Sequence, residues 1–470
     1  MPRVVVLGGG IVGLSTGMLL AERGCDVTVV ERDPAQVPDA PDAAWQDWDR
    51  PGVAQFRQPH YLHPAGSQLF ATLLPSVHKS LAAAQARRFD MLSLMPRFIT
   101  DRSPREGDER FVTLTGRRPV VEYAVASAAA DRLEIRRGTH ATGLLDGAQA
   151  VAGVPHVTGV RLANGSELRA DLVIDAMGRR SPLPGWLADI GAQEPAEGAE
   201  DSGFIYYTRN FRPKDGAEPP PFLTGLLIPF QCFSLLTLPG DADTWSVTVY
   251  VSTHDPALKE IRHPGNWQAV VAGCPLHAHL LDGVPLTDVV AMGGVLDRYR
   301  RYVIDGSPVT TGVLSVGDAI ACTNPSLGRG ITLGMMHAAG TVEVVGRHLG
   351  DPLALALAHD EMTRARITPW YQNTIALDRA RLAQLDAAAG RPVTPPVPGP
   401  GARVMRDLTV AMLHDADLFR AFAEIIAMLA LPREVLARPG LADRIGAVAA
   451  EHEEFVIPGP SRADVLASLS

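Results

Sequence analysis

The feature that most constrains the fold lies within the first 31 residues. Val4-Val5-Val6-Leu7 is a short β-branched run suited to a strand buried on both faces, as parallel sheets require. Gly8-Gly9-Gly10-Ile11-Val12-Gly13 follows at once; residues 11 to 23 read as a helix closed by Gly24, and residues 27 to 30 as a second buried strand ending in Glu31. The order is strand, GxGxxG, helix, strand, acid. Gly8, Gly10 and Gly13 provide the tight turn, the close approach of backbone to a pyrophosphate, and close helix-to-strand packing. The helix start offers unpaired N–H groups to phosphates, and the Glu31 carboxylate accepts hydrogen bonds from ribose hydroxyls. The unit predicts a Rossmann-like α/β domain that binds a dinucleotide. It does not separate FAD from NAD, although Glu31 followed by Arg32 suits the unphosphorylated ribose that both carry. The same stretch, uncharged from Val4 to Ala21, could pass for a signal peptide or membrane anchor, but its five glycines mark a turn instead.

A second unit far along the chain narrows the cofactor. Val313-Leu314-Ser315-Val316-Gly317-Asp318-Ala319 reads as a buried strand delivering an acid, and Asn324-Pro325-Ser326-Leu327-Gly328-Arg329-Gly330 as a glycine loop that opens a helix at Ile331. A nicotinamide dehydrogenase has no use for this late element. In a flavoprotein Asp318 accepts a ribityl hydroxyl, and the helix start at Gly330 faces the pyrimidine edge of the isoalloxazine, where its positive end stabilises the anionic reduced ring.

This pairing resembles the FAD-dependent monooxygenases of the p-hydroxybenzoate hydroxylase and squalene epoxidase type, over about residues 1 to 345. Gly52-Val53-Ala54-Gln55-Phe56-Arg57-Gln58-Pro59-His60, with Gly66 and Leu73-Leu74-Pro75 after it, resembles bacterial polyether-type olefin epoxidases. Arg118-Pro119-Val120-Val121-Glu122 is similar to the arginine-bearing helix start near the flavin. The resemblance places Gly317 and Asp318 at the ribityl chain, Gly328, Arg329 and Gly330 at the isoalloxazine edge, and Arg57 and Arg118 close by. It implies that reduced FAD reacts with dioxygen and, through a flavin hydroperoxide, passes one oxygen atom to a small apolar organic substrate, with epoxidation favoured over hydroxylation. Rival readings are an FAD-dependent reductase or dehydrogenase similar to geranylgeranyl reductases, and a flavin-binding regulatory protein without turnover.

Three departures qualify that carry-over. Aromatic hydroxylases have an Asp-Gly pair where this chain reads Asp171-Leu172-Val173-Ile174-Asp175-Ala176-Met177-Gly178, so Met177 replaces an acid that helps handle FAD and NADPH. With no second GxGxxG unit, electrons are expected from NAD(P)H docking directly or through a separate flavin reductase. Arg329 stands where epoxidase-like relatives tend to have an amide, and no WxWxIP segment supports a halogenase.

The rest of the chain divides around these motifs. Residues 1–75, 105–190 and 300–350 are expected to form a discontinuous FAD domain. Residues 76–104 and 191–299 should form a mostly antiparallel substrate domain, in which 204–209 and 245–252 alternate like half-buried strands. Tyr206, Phe222, Phe230 and Phe233 are candidate substrate-contacting aromatics there, each more readily explained as plain core. Residues 351–470 form a helical module, broken at Pro369 and by the linker from Pro392 to Pro400. Its apolar stretch 419–431 is too short to span a membrane and holds Arg420 and Glu424, which suits a helix packed on the lid.

Composition removes other classes. A net charge of −9, from 43 basic and 52 acidic residues with scattered arginines, gives no surface for nucleic acid. Cys25, Cys232, Cys274 and Cys322 lie far apart, indicating neither a disulfide framework nor a zinc cage and suiting a reducing cytoplasm. His60 and His63 lack a third ligand, Asp39, Asp42, Asp47 and Asp49 lack the glycine and glutamate of a calcium loop, and GxSxG is absent. No metal is expected, no catalytic side chain is assigned, and a membrane is not an expected partner.

Overall fold

The computed structural model describes residues 1–53, 55–393 and 401–469. Ala54 of the 52–60 motif, residues 394–400 of the proline-rich linker and Ser470 lie outside the described residues. A five-stranded parallel sheet runs in the order Val313–Ser315, Leu172–Asp175, Arg3–Leu7, Asp26–Val30, Glu134–Arg136. The first strand explains its own composition. Val4 and Val6 pack with Leu14, Val121 and Met335 from helices Ile11–Glu22, Arg118–Ala130 and Gly330–His348. Val5 and Leu7 face the other way, onto Leu144, Val160 and Leu187. Both faces being covered, the strand has no polar alternation to show.

The strands of this sheet lie within residues 1–75, 105–190 and 300–350. The helix Pro75–Ala83 packs on the same core, with Val77 and Leu81 fully buried in it.

The second layer is an antiparallel sheet in the order Leu227–Pro229, Ser234–Pro239, Trp245–Ser252, Phe204–Arg212, Val284–Pro285. Its back is covered by helix Pro264–Ala272, with Trp267, Val270 and Val271 against Phe233, Leu235, Val247 and Val249. The helices Thr368–Ala388 and Ala416–Ile426 of the C-terminal module close over the front. The fold is mixed α/β, as expected. No helix among the described residues is long and apolar enough to cross a membrane.

Candidate functional site

The parallel strands end level with one another, since Leu7 pairs with both Val30 and Asp175 and Ser315 pairs with Asp175. Their C-terminal ends open on one cavity of about 1770 Å³, lined by Gly8, Gly10, Gly13, Glu31, Arg32, Arg118, Asp318, Gly328, Arg329 and Gly330. This is where ligands bind in open α/β sheets.

At the first glycine turn, two glycines answer to the protein's own packing. Gly8 has φ +105°, and a Cβ there would lie 2.5 Å from the Ala176 carbonyl oxygen; one on Gly13 would lie 2.0 Å from the Gly8 oxygen. Gly10 is different, because its Cβ would meet nothing within 4 Å. The helix behind it starts without a side-chain cap. Bare N–H groups at an uncapped start, with open space where a side chain would stand, fit a pyrophosphate.

Glu31 is buried and accepts from the Gly9 and Asp33 amides at 2.7 and 2.8 Å and from Arg50 Nη2 at 2.8 Å. Arg50 also holds Asp33 at 3.1 Å and lies 3.9 Å from Glu122, which binds Arg118 at 2.6 Å. Arg50 Nη1 and Glu122 Oε2 have no hydrogen-bond partner. Unsatisfied buried groups on the wall of a cavity suit a polar ligand beside them. Sequence reading missed Arg50, which no motif marks; Glu122 was visible only as the end of the Arg118 segment.

The late unit arrives from the other side. Gly317, φ +61°, is not itself a wall residue; its absent Cβ leaves room for Val12, whose Cγ1 would be 3.1 Å away, and Gly334 accommodates the same side chain. The two glycine-lined helix starts thus pack directly on one another. Gly317 N–H donates to His337 Nδ1 at 3.1 Å, so the proton of that imidazole is on Nε2, which donates to Thr363 Oγ1 at 3.0 Å. Asp318 lines the cavity; desolvation raises its pKa against the opposing pull of Arg118, Arg179 and a hydrogen bond from Cys322. Gly328, φ +65°, ends the turn Pro325–Leu327, and His63 Nε2 donates to the Leu327 carbonyl at 2.8 Å. Gly330 again has open space at its Cβ and starts an uncapped helix. Arg329 is buried over the Trp370 ring, with Nη1 on Asn373 and Thr374 at 2.8 and 2.9 Å. Desolvation lowers it to about 10.

Besides Gly317, five expected site residues fall elsewhere. Arg57 does not line the cavity: it donates to the Trp45 and Trp48 carbonyls and lies over the Trp45 and Phe56 rings, pinning the loop after the second strand. Tyr206, Phe222, Phe230 and Phe233 are also off the wall. Tyr206 OH donates to Asn324 Oδ1 at 2.8 Å, Phe230 stacks on Phe233 at 4.8 Å, and Phe222 meets Phe89 edge-on. For Phe233 the reason is strand alternation. In Ser234–Pro239, Ser234, Leu236 and Leu238 face the cavity, whereas Phe233 and Leu235 belong to the core behind the sheet.

Aliphatic residues and the C-terminal module complete the chamber. Thr368–Ala388 presents Asn373, Leu377, Arg381 and Gln384, spaced three or four apart as one helix face. Ala416–Ile426 adds Phe419, Phe422, Ala423 and Ile426. The three charges in that helix are absorbed by partners, Asp417 by Arg444 at 3.2 Å, Arg420 by Asp108 at 2.7 Å and Glu424 by Arg438 at 2.5 Å. The helix expected to rest on a lid is itself part of the cavity wall.

Residues 3–48 match the FAD dependent oxidoreductase family. The chain is 28% identical over 365 residues to Protein Rv3254 of Mycobacterium tuberculosis, covering 72% of this chain and 71% of that one. The OxyS anhydrotetracycline hydroxylase from Streptomyces rimosus aligns with a TM-score of 0.56 and 17% identity, over 92% of this chain and 76% of that chain. A flavoprotein/dehydrogenase from Cytophaga hutchinsonii aligns with a TM-score of 0.62 and 14% identity, over 96% and 100%. These structures share the fold.

Proposed function

We propose that the protein is an FAD-dependent monooxygenase that adds one oxygen atom from dioxygen to an apolar organic substrate, with epoxidation of an alkene favoured over hydroxylation on the motif resemblance. The observation that carries this reading is the single cavity, which joins a dinucleotide cradle at one end to an apolar chamber at the other. At about 1770 Å³ it exceeds the ~300–1,000 Å³ of a site for one drug-sized ligand, and it has room for a cofactor and a substrate together.

The residues divide the work. Gly10 and the uncapped start of Ile11–Glu22 would receive the pyrophosphate, Glu31 and Arg50 the ribose side, Asp318 the ribityl hydroxyls, and the helix start at Gly330 the ring edge. Bound FAD, when reduced, supplies the dioxygen chemistry. Leu236, Leu238, Phe419 and Ala423 exclude water and hold the substrate by shape. Reducing equivalents reach the site from NAD(P)H, directly or through a separate flavin reductase, and the protein works in the cytoplasm with its four cysteines reduced; those thiols are free and buried.

The test is turnover of large apolar alkenes and arenes under ¹⁸O₂ with the FAD-loaded protein. One heavy oxygen per product is expected. Turnover without dioxygen would make the protein a dehydrogenase, and peroxide release indifferent to added substrate would leave a flavin-binding protein. Anaerobic mixing with NADPH separates the electron sources, because rapid bleaching of the flavin by NADPH alone removes the need for a reductase.

A further inference from the structure

Between the loop 324–330 and the helix Thr368–Ala388 lies a group of buried acids that neither the dinucleotide cradle nor the apolar chamber requires. Asp378 is 6% exposed, lines the cavity, and accepts from Ser326 Oγ at 2.6 Å and Asn324 Nδ2 at 3.2 Å. Asp297, 1% exposed, accepts the Asn324 backbone N–H at 2.5 Å. Tyr206 OH donates to Asn324 Oδ1, so each polar group of the Asn324 side chain has a partner and its amide orientation is fixed. The neighbouring cation, Arg329, gives Nη1 to the neutral Asn373 and Thr374. A carboxylate and a guanidinium therefore stand on the same stretch of cavity wall without neutralising each other in a hydrogen-bonded pair.

We propose that Asp378, carried to this loop by the C-terminal module, is a positioning and charge-tuning residue for the reactive ring of FAD. It holds the 324–326 backbone in place and sets its negative charge against the positive field of Arg329 and of the helix start at Gly330. The inference rests on reading the cavity as an FAD site. Reduction makes the ring more negative, so a nearby anion disfavours the reduced state and a nearby cation favours it, strongly where water is excluded.

The groups facing Asp378 are Arg329 and Ser326 from the loop, Asp297 from the strand Leu296–Arg301, Tyr206 from Phe204–Arg212, and Tyr250 from Trp245–Ser252. Burial pushes Asp378 up to about 6 and Asp297 up to about 7. Near neutral pH Asp378 carries its charge, and it loses that charge as the pH falls through about 6. The opposition to a reduced ring then disappears, without change in Arg329.

The experiment measures the midpoint potential of bound FAD by anaerobic equilibration with reference dyes, for the holoprotein and its Asp378→Asn, Ser326→Ala and Arg329→Gln variants, together with FAD affinity. At pH 7.5 Asp378→Asn raises the potential, through reduced flavin held about tenfold more tightly relative to oxidised, or ~30 mV for a two-electron couple. At pH 5.5 the gap between variant and wild type narrows. Arg329→Gln shifts the potential downward. Ser326→Ala, which removes the hydroxyl contact and keeps the charge, weakens FAD binding and leaves the potential near wild type. An unchanged potential in FAD-loaded Asp378→Asn overturns the proposal, as does an equal shift in Ser326→Ala. Should Asp378→Asn not fold, wild type alone decides: its potential must steepen with pH near 6, and a straight dependence there overturns the assignment. Failure of wild type to bind FAD refutes the cofactor reading and this proposal together. FAD binding with the expected shifts but no oxygen transfer refutes only the monooxygenase reading.

Discussion

The two ends of the cavity are built on opposite logics. At the end proposed for the cofactor, backbone does the work: glycines, uncapped helix starts and the ends of parallel strands are positioned by a sheet whose two faces are both buried. At the end proposed for the substrate, side chains do it, and the wall is assembled from one face of an antiparallel sheet and from the helices Thr368–Ala388 and Ala416–Ile426, far along the chain. A site made of backbone needs particular residues at particular spacings. A site made of shape needs only that some aliphatic group fill each position.

The sharpest way to break that comparison is to put side chains on the glycines. A Cβ on Gly13 would overlap the Gly8 carbonyl, so Gly13→Val is expected to prevent a native fold, a loss exceeding about 4 kcal/mol. Gly10 has open space, so Gly10→Val should keep the melting temperature of the apoprotein within about 2 °C while weakening FAD at least about 100-fold, near 2.7 kcal/mol. Thermal melts and flavin titration of the two variants check this. Equal melting losses would mean that Gly10 also serves packing, and the case for a bound pyrophosphate would weaken.

The same contrast explains what could be read from the sequence. Gly8, Gly13, Gly317 and Gly328 were visible because steric demands at a turn admit almost no substitute, and the parallel sheet followed from strands with no polar alternation. Arg50 was invisible because a lone arginine in an irregular loop has no period, and its partners Glu31, Asp33 and Glu122 come from three separate segments. The aromatics of the second sheet, more readily core than substrate contacts from the sequence, could not be placed on a face for another reason. Alternation in 234–239 says that two faces differ, but only the helix Pro264–Ala272 decides which face is core. The helix Thr368–Ala388 turns polar groups such as Asn373, Arg381 and Gln384 towards the cavity, a pattern that in isolation reads as a solvent stripe.

Acid should weaken both ends. His63 at the 324–330 loop, His277 behind the second sheet and His359 under the late helix are each pushed down to about 4 by desolvation, and His60 and His337 are lowered further by the same cause. In the unfolded chain these imidazoles take up protons near pH 6.5, so the stability due to keeping them neutral is complete above that value and is lost as the pH falls towards 4. At pH 5 each costs on the order of 2 kcal/mol, at 1.36 kcal/mol per unit. Asp175, Asp297, Asp318, Asp360 and Asp378, all raised by burial, act in the opposite sense, gaining towards acid, and offset part of this loss. The urea midpoint is expected to drop steeply between pH 6.5 and 5, and His277→Gln should soften that drop. A flat profile would show that these imidazoles reach water in the fold.

The smallest effect tests whether motif position or physical partners better identify a cofactor arginine. Arg57 and Arg118 were both expected beside the flavin. Arg118 is on the wall, bound to Glu122 and close enough to Asp318 to oppose the rise of its pKa. Arg57 spends its guanidinium on two loop carbonyls, and removing those contacts should cost only about 1–2 kcal/mol of stability. Arg57→Met should therefore leave FAD affinity within about threefold of wild type, whereas Arg118→Met should lower it about tenfold, or 1.4 kcal/mol. Flavin titration of the two variants at one ionic strength decides between the cases. Equal losses would return Arg57 to the ring and make the spacing of the 52–60 motif a better guide than the contacts its arginine makes.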